Sequence, residues 1–192
     1  YYSQDPTSGV SVLDAGVATT QDINDIYAFS AAVVIAVGNS NAVVYALDGS
    51  TFQSVTGPAV GIALNAVYAR TEREWWVGTA DGKLYYTRDR GVNWTEKAFP
   101  GSGTGTVDDI VFASNMVGFI AHATATPSGR ILRTISGGHS WYVLPDGSST
   151  LPANDRINSL AVCQKDANTV YGAGLADNGA DGVLVKGTTS YT

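Results

Sequence analysis

Long hydrophobic runs are missing from this sequence, because its longest uninterrupted apolar stretch, Ala31 to Val37, has only the length of a β-strand. A membrane-spanning helix needs about 20 such residues. The chain also lacks a basic segment followed by an apolar one, the pattern of a secretory signal. The sequence therefore predicts no insertion into a membrane. It begins at Tyr1 rather than at a methionine, which indicates a processed product or a piece of a longer protein.

Positive charge is scarce. The chain has 11 Lys and Arg residues against 17 Asp and Glu residues, for a formal net charge of -6. Proteins that bind nucleic acid neutralise phosphates with clustered Lys and Arg. Because the cationic residues here are scattered along the chain, we expect no nucleic-acid partner.

Cysteine and histidine are scarce as well. Cys163 is the only cysteine, so an intrachain disulfide is excluded, and its apolar neighbours Leu160 to Val162 predict a buried, unreactive thiol. The two histidines, His122 and His139, have no Cys or acidic residues at ligand spacing. The sequence has no G-x-S-x-G nucleophile motif, and no glycine-rich loop lies between a strand and a helix, where it could bind phosphate. We therefore predict no metal site, no cofactor and no catalytic residue set.

Apolar residues recur with the period of strands rather than that of helices. Short apolar runs are separated by Gly, Asn, Asp, Ser or Pro, in a chain with 22 glycines, 10 tyrosines and 4 tryptophans. This composition suits many short strands joined by tight turns. The sequence predicts an all-β fold.

One short pattern recurs four times: an apolar residue, then Asn or Asp, then any residue, then a second apolar residue. The copies begin at Ile23, Leu64, Val107 and Ile157, a spacing of roughly 40 to 50 residues that is typical of a four-stranded propeller blade. Small sheets of this kind must stack on one another to bury their apolar faces. We predict a single β-propeller domain over residues 1–192 with about four four-stranded blades, whose repeats lie at about 22–56, 63–100, 106–145 and 156–192 plus 1–14.

Two arrangements of these repeats stay open. In the first, an N-terminal strand at residues 10–13 joins the C-terminal blade and closes a four-bladed ring without an open sheet edge. In the second, the repeats are a fragment of a larger propeller.

A specific motif lies between the third and fourth strands of the second repeat, at Thr87-Arg88-Asp89-Arg90-Gly91-Val92-Asn93-Trp94. It resembles the Asp box, S/T-x-D-x-G-x-x-W, of BNR-repeat propellers, a group that includes sialidase-like proteins and Ycf48-like photosystem II assembly factors. A second copy at residues 134–141 has Ser136 at the Asp position, and a weaker copy spans Asp48 to Phe52.

The resemblance implies that these motif residues stabilise peripheral hairpins and are not catalytic. A turn carboxylate accepts backbone N–H bonds, a glycine supplies positive φ, and an aromatic residue packs inward. The residues to which this structural role is assigned are Asp48, Phe52, Asp89, Gly91, Trp94, Gly138 and Trp141.

Support for glycoside hydrolysis is weak. A sialidase implies an arginine triad, a tyrosine nucleophile with a glutamate partner, and an aspartate acid/base, but the opening Phe/Tyr-Arg-Ile-Pro motif is missing and only three glutamates occur. Asp108 and Asp109 are one of two close acidic pairs, and strand alternation predicts that they point to opposite faces. Glu72 and Glu74, the other pair, read as solvated turn charges.

The second motif position is polar in every repeat. These residues, Asn24, Asn65, Asp108 and Asn158, either form a polar ligand-binding ring near the axis or satisfy backbone groups at the strand starts. We expect a noncatalytic interaction or structural propeller, of the surface, virion-associated or assembly-factor type, with an extracellular or virion-surface location. The alternative is a glycan-binding lectin or a sialidase- or glycosidase-like domain. The partner is thus a protein or a glycan, and the oligomeric state stays open.

Overall fold

The computed structural model describes residues 18–58, 60–124, 129–144, 155–163, 165–176 and 181–188. These residues form fifteen β-strands in four antiparallel sheets, which confirms the all-β prediction. In chain order the strands are β1 (Ile23–Ala28), β2 (Val34–Gly38), β3 (Ala42–Ala46), β4 (Gln53–Thr56), β5 (Leu64–Ala69), β6 (Trp75–Thr79), β7 (Leu84–Thr87), β8 (Thr95–Lys97), β9 (Thr106–Phe112), β10 (Gly118–Ala123), β11 (Gly129–Thr134), β12 (Tyr142–Val143), β13 (Arg156–Cys163), β14 (Asp166–Leu175) and β15 (Gly182–Thr188).

Each sheet is built from consecutive strands, and we call the four sheets modules 1 to 4 in chain order. Modules 1, 2 and 3 have four strands in the orders β1-β2-β3-β4, β5-β6-β7-β8 and β9-β10-β11-β12, and the described part of module 4 has three, β13-β14-β15. The first strands of successive modules contact each other. We call that side of the molecule the inner side, and the side of the fourth strands the outer side.

The hydrophobic core lies between the modules. One cluster, which includes Ile35 and Trp75, joins modules 1 and 2, and a second joins modules 2 and 3 around Trp76 and Phe112. A third cluster joins modules 3 and 4. Stacking therefore buries the faces that one sheet could not bury alone, as the repeat pattern predicts.

Every first strand has a β-bulge at the same motif position. Register with the second strand skips one residue in each module, and the four skipped residues are Asn24, Asn65, Asp108 and Asn158. A bulge leaves its extra residue unpaired and changes the direction of the strand. The polar residue of the sequence motif thus marks a bulge at the inner side of each module.

The expectation of a buried thiol was wrong, because Cys163 is exposed. The apolar run that ends at Cys163 belongs to β13, where Ala161 is also exposed and Leu160 is buried. One face of this sheet has no neighbouring module among the described residues, so an apolar strand of module 4 is buried on one side only.

The predicted closing strand at residues 10–13 lies outside the described residues. Within those residues, no helix has the length and apolar character needed to cross a membrane.

Candidate functional site

The four bulge residues lie where each first strand begins. In module 1, Asn24 Nδ2 donates hydrogen bonds to the Leu64 carbonyl of module 2, at 3.0 Å, and to Asn39 Oδ1, at 3.1 Å. In module 3, Arg156 Nε of module 4 donates to Asp108 Oδ2 at 3.0 Å. Asn24 and Asp108 thus connect their modules to the next one.

The other two bulge residues differ. Asn65 is half-buried and Asn158 is exposed. Among the hydrogen bonds of the described residues, none joins one bulge residue to another. A ligand-binding ring made by the four therefore stays a prediction.

Two further aspartates, one residue after a bulge, join neighbouring modules. Asp25 accepts hydrogen bonds from the backbone N–H of Val67, at 2.7 Å, and of Ile26, at 2.8 Å. Asp109 accepts from Leu160 at 2.6 Å and from Ile110 at 2.7 Å. Sequence reasoning missed this role, although Asp at the variable third motif position of repeats 1 and 3 was a usable signal.

The carboxyl groups of Asp25 and Asp109 both have a pKa above the ordinary value of an aspartate. Burial raises the pKa of Asp25 and of Asp109, and their backbone hydrogen bonds offset part of the rise. The negative charge of Asp25 also raises the pKa of Asp109. The inner side therefore holds two interacting carboxyl groups whose oxygens already accept backbone hydrogen bonds from the next module.

Asp108 and Asp109 were predicted to point to opposite faces of the strand, but both reach the same neighbouring module. Both side chains contact module 4, Asp108 through Arg156 and Asp109 through Leu160. Strand alternation fails here because Asp108 is the bulge residue and regular alternation is interrupted at a bulge.

His122 is fully buried at the end of β10. Its Nε2 lies 2.8 Å from the carbonyl oxygen of Thr104, so Nε2 carries the proton and donates it, and Nδ1 is left as an acceptor. Burial lowers the His122 pKa, which favours the neutral form of the ring. Its ring packs edge-on against Phe99, at 5.0 Å between centroids. The described residues contain no group of three or more His, Cys, Asp or Glu side chains that could hold a metal ion.

The turn between β7 and β8 is held by its threonine and its aspartate. Thr87 Oγ1 accepts from the backbone N–H of Gly91, at 3.0 Å, and Asp89 Oδ1 accepts from that of Asn93, at 2.8 Å. Hydrogen bonds from the backbone and the side chain of Asn93, with one from the hydroxyl of Thr87, lower the pKa of Asp89 to about 2. The first copy works alike, since Asp48 Oδ1 accepts from Ser50 and Thr51 and its pKa lies far below the ordinary range.

The corresponding turn of module 3 makes the same bonds without a carboxylate. Thr134 Oγ1 accepts from Gly138 at 2.9 Å, and Ser136 Oγ accepts from the backbone N–H of Ser140 at 3.0 Å. A hydroxyl is thus a sufficient acceptor at the third position of this turn.

The glycine and tryptophan of each turn pack against the preceding module. Trp141 is buried between modules 2 and 3, edge-on to Trp76 at 6.2 Å between centroids. A Cβ on Gly138, where φ is +87°, would overlap the Trp76 ring. In module 2, Trp94 Nε1 donates to the Thr56 carbonyl of module 1 at 3.1 Å. Phe52 of the weak copy is half-buried.

The carboxylates of the described residues are committed to structural contacts. Besides the aspartates above, Glu72 pairs with Arg90, Glu74 with Arg70, and Glu96 with Lys83. Glu74 differs from the expected solvated charge, since it also accepts from Tyr86 Oη at 2.9 Å and is half-buried. Burial raises its pKa, but the hydrogen bonds from Tyr86 and Arg70 outweigh burial and lower it overall.

A group of cations surrounds Tyr86 where modules 2 and 3 meet. We call Arg70, Tyr86, Arg88 and Lys97 the rim cluster. The Arg88 guanidinium lies 5.5 Å from the Tyr86 ring centroid and the Lys97 ammonium 5.6 Å from it. Arg88 Nε also donates to Tyr86 Oη at 2.9 Å. With Glu74 as its acidic partner, the cluster keeps an excess of positive charge in a chain whose net charge is -6.

The rim cluster borders a small cleft between modules 2 and 3. Trp76, Gly137, Gly138 and His139 complete its lining, and it encloses about 10 Å³, room for about one water molecule. Trp76 is buried, and its Nε1 donor has no hydrogen-bond partner among the described residues. Arg70 is fixed by the carbonyls of Asn115 and Gly137.

Sequence reasoning missed the rim cluster because its members are far apart in the chain. Strand pairing brings them together, since β6, β7 and β8 place Trp76 opposite Tyr86 and Lys97 opposite Leu84. A register derived from the repeat would have been the usable signal.

Solved structures share this architecture. A structure described as YCF48 bound to D1 peptide superposes with a TM-score of 0.62 at 19% identity, over 81% of this chain and 49% of that one. The GH74 enzyme of Niastella koreensis gives 0.65 at 18%, over 87% of this chain and 28% of that one. The computationally designed Ika4 protein gives 0.63 at 14%, over 95% of this chain and all of that one.

The predicted β-propeller fold is confirmed by these likenesses, which at such identities concern the fold alone. The chain spans about half the length of the YCF48 chain and about a quarter of the GH74 enzyme. No protein family profile and no curated protein matches the sequence.

Proposed function

We propose that this chain is a noncatalytic interaction propeller whose rim cluster binds acidic segments of a partner protein. The observation that carries this proposal is the pairing of exposed Arg88 and half-buried Lys97 with one aromatic ring on an otherwise acidic chain. Guanidinium and ammonium groups beside an aromatic face suit carboxylates and the apolar groups next to them.

The state of the carboxylates supports a noncatalytic role. Hydrolysis by paired acids needs two carboxyl groups free to approach a substrate bond from opposite sides. Asp108 is held by Arg156, and Asp25 and Asp109 accept backbone hydrogen bonds from the next module. Using any of these groups as an acid would leave its partners unpaired, at a cost of about 1 to 3 kcal/mol each.

Peptide binding has a precedent in the same fold. The YCF48 structure is described as bound to D1 peptide, so a propeller of this type takes a peptide ligand. For the present chain, peptide binding rests on the rim cluster itself, because 19% identity carries no residue role across.

We also infer that the turns at residues 48–52, 87–94 and 134–141 are Asp boxes of the BNR type. The threonine and third-position hydrogen bonds in the two longer turns support this. In this interpretation Asp48, Asp89, Gly91, Trp94, Gly138 and Trp141 stabilise hairpins, and Phe52 takes the aromatic position of the weak copy.

The experiment is a fluorescence polarisation titration with a labelled peptide of alternating glutamate and alanine, and with its lysine–alanine counterpart. We expect binding of the glutamate peptide only, weakened by salt because the contacts are exposed. The double variant Arg88→Ala and Lys97→Ala should weaken binding about tenfold or more, since charge-assisted contacts contribute about 1.5 to 3 kcal/mol each.

Lys165→Ala is the matched control, because Lys165 is an exposed cation in module 4. It should leave the affinity unchanged. Equal weakening by both variants would show a net-charge effect and contradict the proposal. Hydrolysis of β-glucans or sialosides, or glycan binding that survives the double variant, would support the carbohydrate-active alternative instead.

A further inference from the structure

A short segment, residues 101–105, lies between β8 of module 2 and β9 of module 3 and packs on His122. We call it the covering segment. Its Thr104 carbonyl accepts the hydrogen bond from His122 Nε2, at 2.8 Å. A Cβ on Gly101 would lie only 3.2 Å from Cε1 of the same ring. Together with Phe99, whose ring packs edge-on against the imidazole, the segment keeps water from His122, which is 0% exposed.

The buried imidazole has a hydrogen-bond partner at one nitrogen only. Nδ1 of His122 is buried and has no partner among the described residues. In the neutral ring, which carries its proton on Nε2, this nitrogen is an unpaired acceptor. Protonation would turn it into an unpaired N–H of a cation, which costs considerably more free energy to bury. The closed covering segment therefore favours the neutral ring.

The charged groups on the two neighbouring strands act on His122 in opposite directions. Arg130 is paired with His122 in the register of β10 and β11, so its positive charge opposes protonation. Asp108 on β9 favours protonation, but its carboxylate is already paired with Arg156. Burial and Arg130 lower the pKa of His122 by more than the Thr104 carbonyl and Asp108 raise it.

The covering segment is held to module 2 by few contacts. The backbone N–H of Gly103 donates to the Gly82 carbonyl at 2.8 Å, in the turn between β6 and β7. Asp81 and Lys83, the charged neighbours of Gly82, pair with each other at 3.9 Å. The segment itself has no titratable side chain, and three of its five residues are glycines. A segment that buries so little apolar surface can open without unfolding the modules.

We infer that protonation of His122 opens the covering segment, so that mild acid releases its contact with module 2. In the open state water solvates both ring nitrogens, and the ring takes up a proton as an ordinary histidine does. The open state therefore binds more protons than the closed state. Its population should rise as the pH falls below about 6.5, by at most about tenfold per pH unit. This inference goes beyond peptide binding and does not depend on it.

Hydrogen exchange of the Gly103 amide measures this opening, because that N–H is bonded to the Gly82 carbonyl only in the closed state. The experiment is NMR-detected exchange on the 192-residue chain, corrected for the intrinsic exchange rate at each pH. We expect the protection of Gly103 to fall about three- to tenfold between about pH 6.5 and pH 5.5. The Gly91 amide, held by Thr87 Oγ1 at 3.0 Å, is the internal control and should keep its protection.

Three variants test whether His122 is the group that titrates. His122→Gln keeps a donor for the Thr104 carbonyl but cannot be protonated, so the protection of Gly103 should no longer depend on pH. His139→Gln is the matched control, because His139 is the other histidine and is exposed. It should keep the full pH dependence. Arg130→Gln removes the charge that opposes protonation of the closed state, so the fall in protection should become smaller.

Four results would overturn the inference. They are unchanged protection of Gly103 over this pH range, a fall that persists in His122→Gln, a fall that is lost in His139→Gln, and an equal loss of protection at Gly91, which would indicate global unfolding. If His122→Gln does not fold, the ring signals of His122 in the native chain decide the question. A ring that becomes protonated while Gly103 stays protected would contradict the coupling.

Discussion

The turns of modules 2 and 3 reach the same structure with different chemistry. In both, a threonine hydroxyl accepts the glycine N–H, and the third residue accepts an N–H from four residues further on. That third residue is Asp89 in one turn and Ser136 in the other. The tryptophans differ more, since Trp94 is half-buried and Trp141 is buried between two modules. The acid is therefore replaceable, whereas the threonine and the inward aromatic residue are what the two turns share.

The tryptophan substitutions should give the largest difference between the two turns. Trp141→Ala should lower the free energy of unfolding by about 3 to 5 kcal/mol, because it leaves a cavity beside Trp76 and Phe112. Trp94→Ala should cost less, about 1 to 3 kcal/mol, since it loses partial burial and one hydrogen bond. Urea denaturation followed by fluorescence and circular dichroism measures both. Equal losses would mean that burial does not distinguish the two tryptophans.

Removing the shared threonine hydroxyl should affect both turns alike. Thr87→Val and Thr134→Val keep the side-chain volume but leave the N–H of Gly91 or Gly138 unpaired, and each glycine is buried. We expect a loss of about 1 to 3 kcal/mol in each case, by urea denaturation. A loss confined to module 2 would show that the carboxylate of Asp89, rather than the hydroxyl, is the main support of its turn.

The sequence predicted the repeat, the strands and the turns well, because these depend on local patterns. The predictions that failed were those that depend on which modules lie next to each other in space. Cys163 is exposed because one face of module 4 has no adjacent module among the described residues, and no periodicity within the strand reports that.

The candidate site was less predictable for the same reason. The bulge residues were found as a repeated polar position, but their contacts with the next module, such as Asn24 with the Leu64 carbonyl, depend on how modules stack. The rim cluster joins residues of two strands, β7 and β8, with Arg70 and Arg88 just beyond the ends of β5 and β7, and was not foreseen. The local sequence pattern therefore predicts the strands of one module, whereas the contacts and the surface clusters depend on how the modules stack.

The carboxylate of Asp89 should give the turn of module 2 a pH dependence that the turn of module 3 lacks. The pKa of Asp89 is lowered to about 2, from an ordinary value near 4. Its stabilising contribution is therefore fully present above about pH 4 and is lost as the pH falls through about 2. Asp89→Ser should remove this dependence, so the stability difference between the native chain and the variant should shrink over that window. The raised pKa values of Asp25 and Asp109 act on both proteins and cancel in the difference. A difference that stays constant with pH would contradict the assignment.

The reverse exchange, Ser136→Asp, should have the smallest effect. The new carboxylate can accept the Ser140 N–H as the hydroxyl does, and the Arg70 guanidinium, which donates to the Gly137 carbonyl nearby, favours a negative charge. We expect the free energy of unfolding at neutral pH to stay within about 0.5 kcal/mol of the native value. The stability at acid pH should change, because the variant gains a carboxyl group with a lowered pKa. Its free energy of unfolding should therefore fall more steeply than that of the native chain between about pH 4 and pH 2. Ser140→Ala is a suitable background control, because it keeps the backbone donor and removes the competing hydroxyl. If Ser136→Asp destabilises the chain strongly at neutral pH, the two turns are not interchangeable, and the hydroxyl of module 3 has a role that a carboxylate cannot fill.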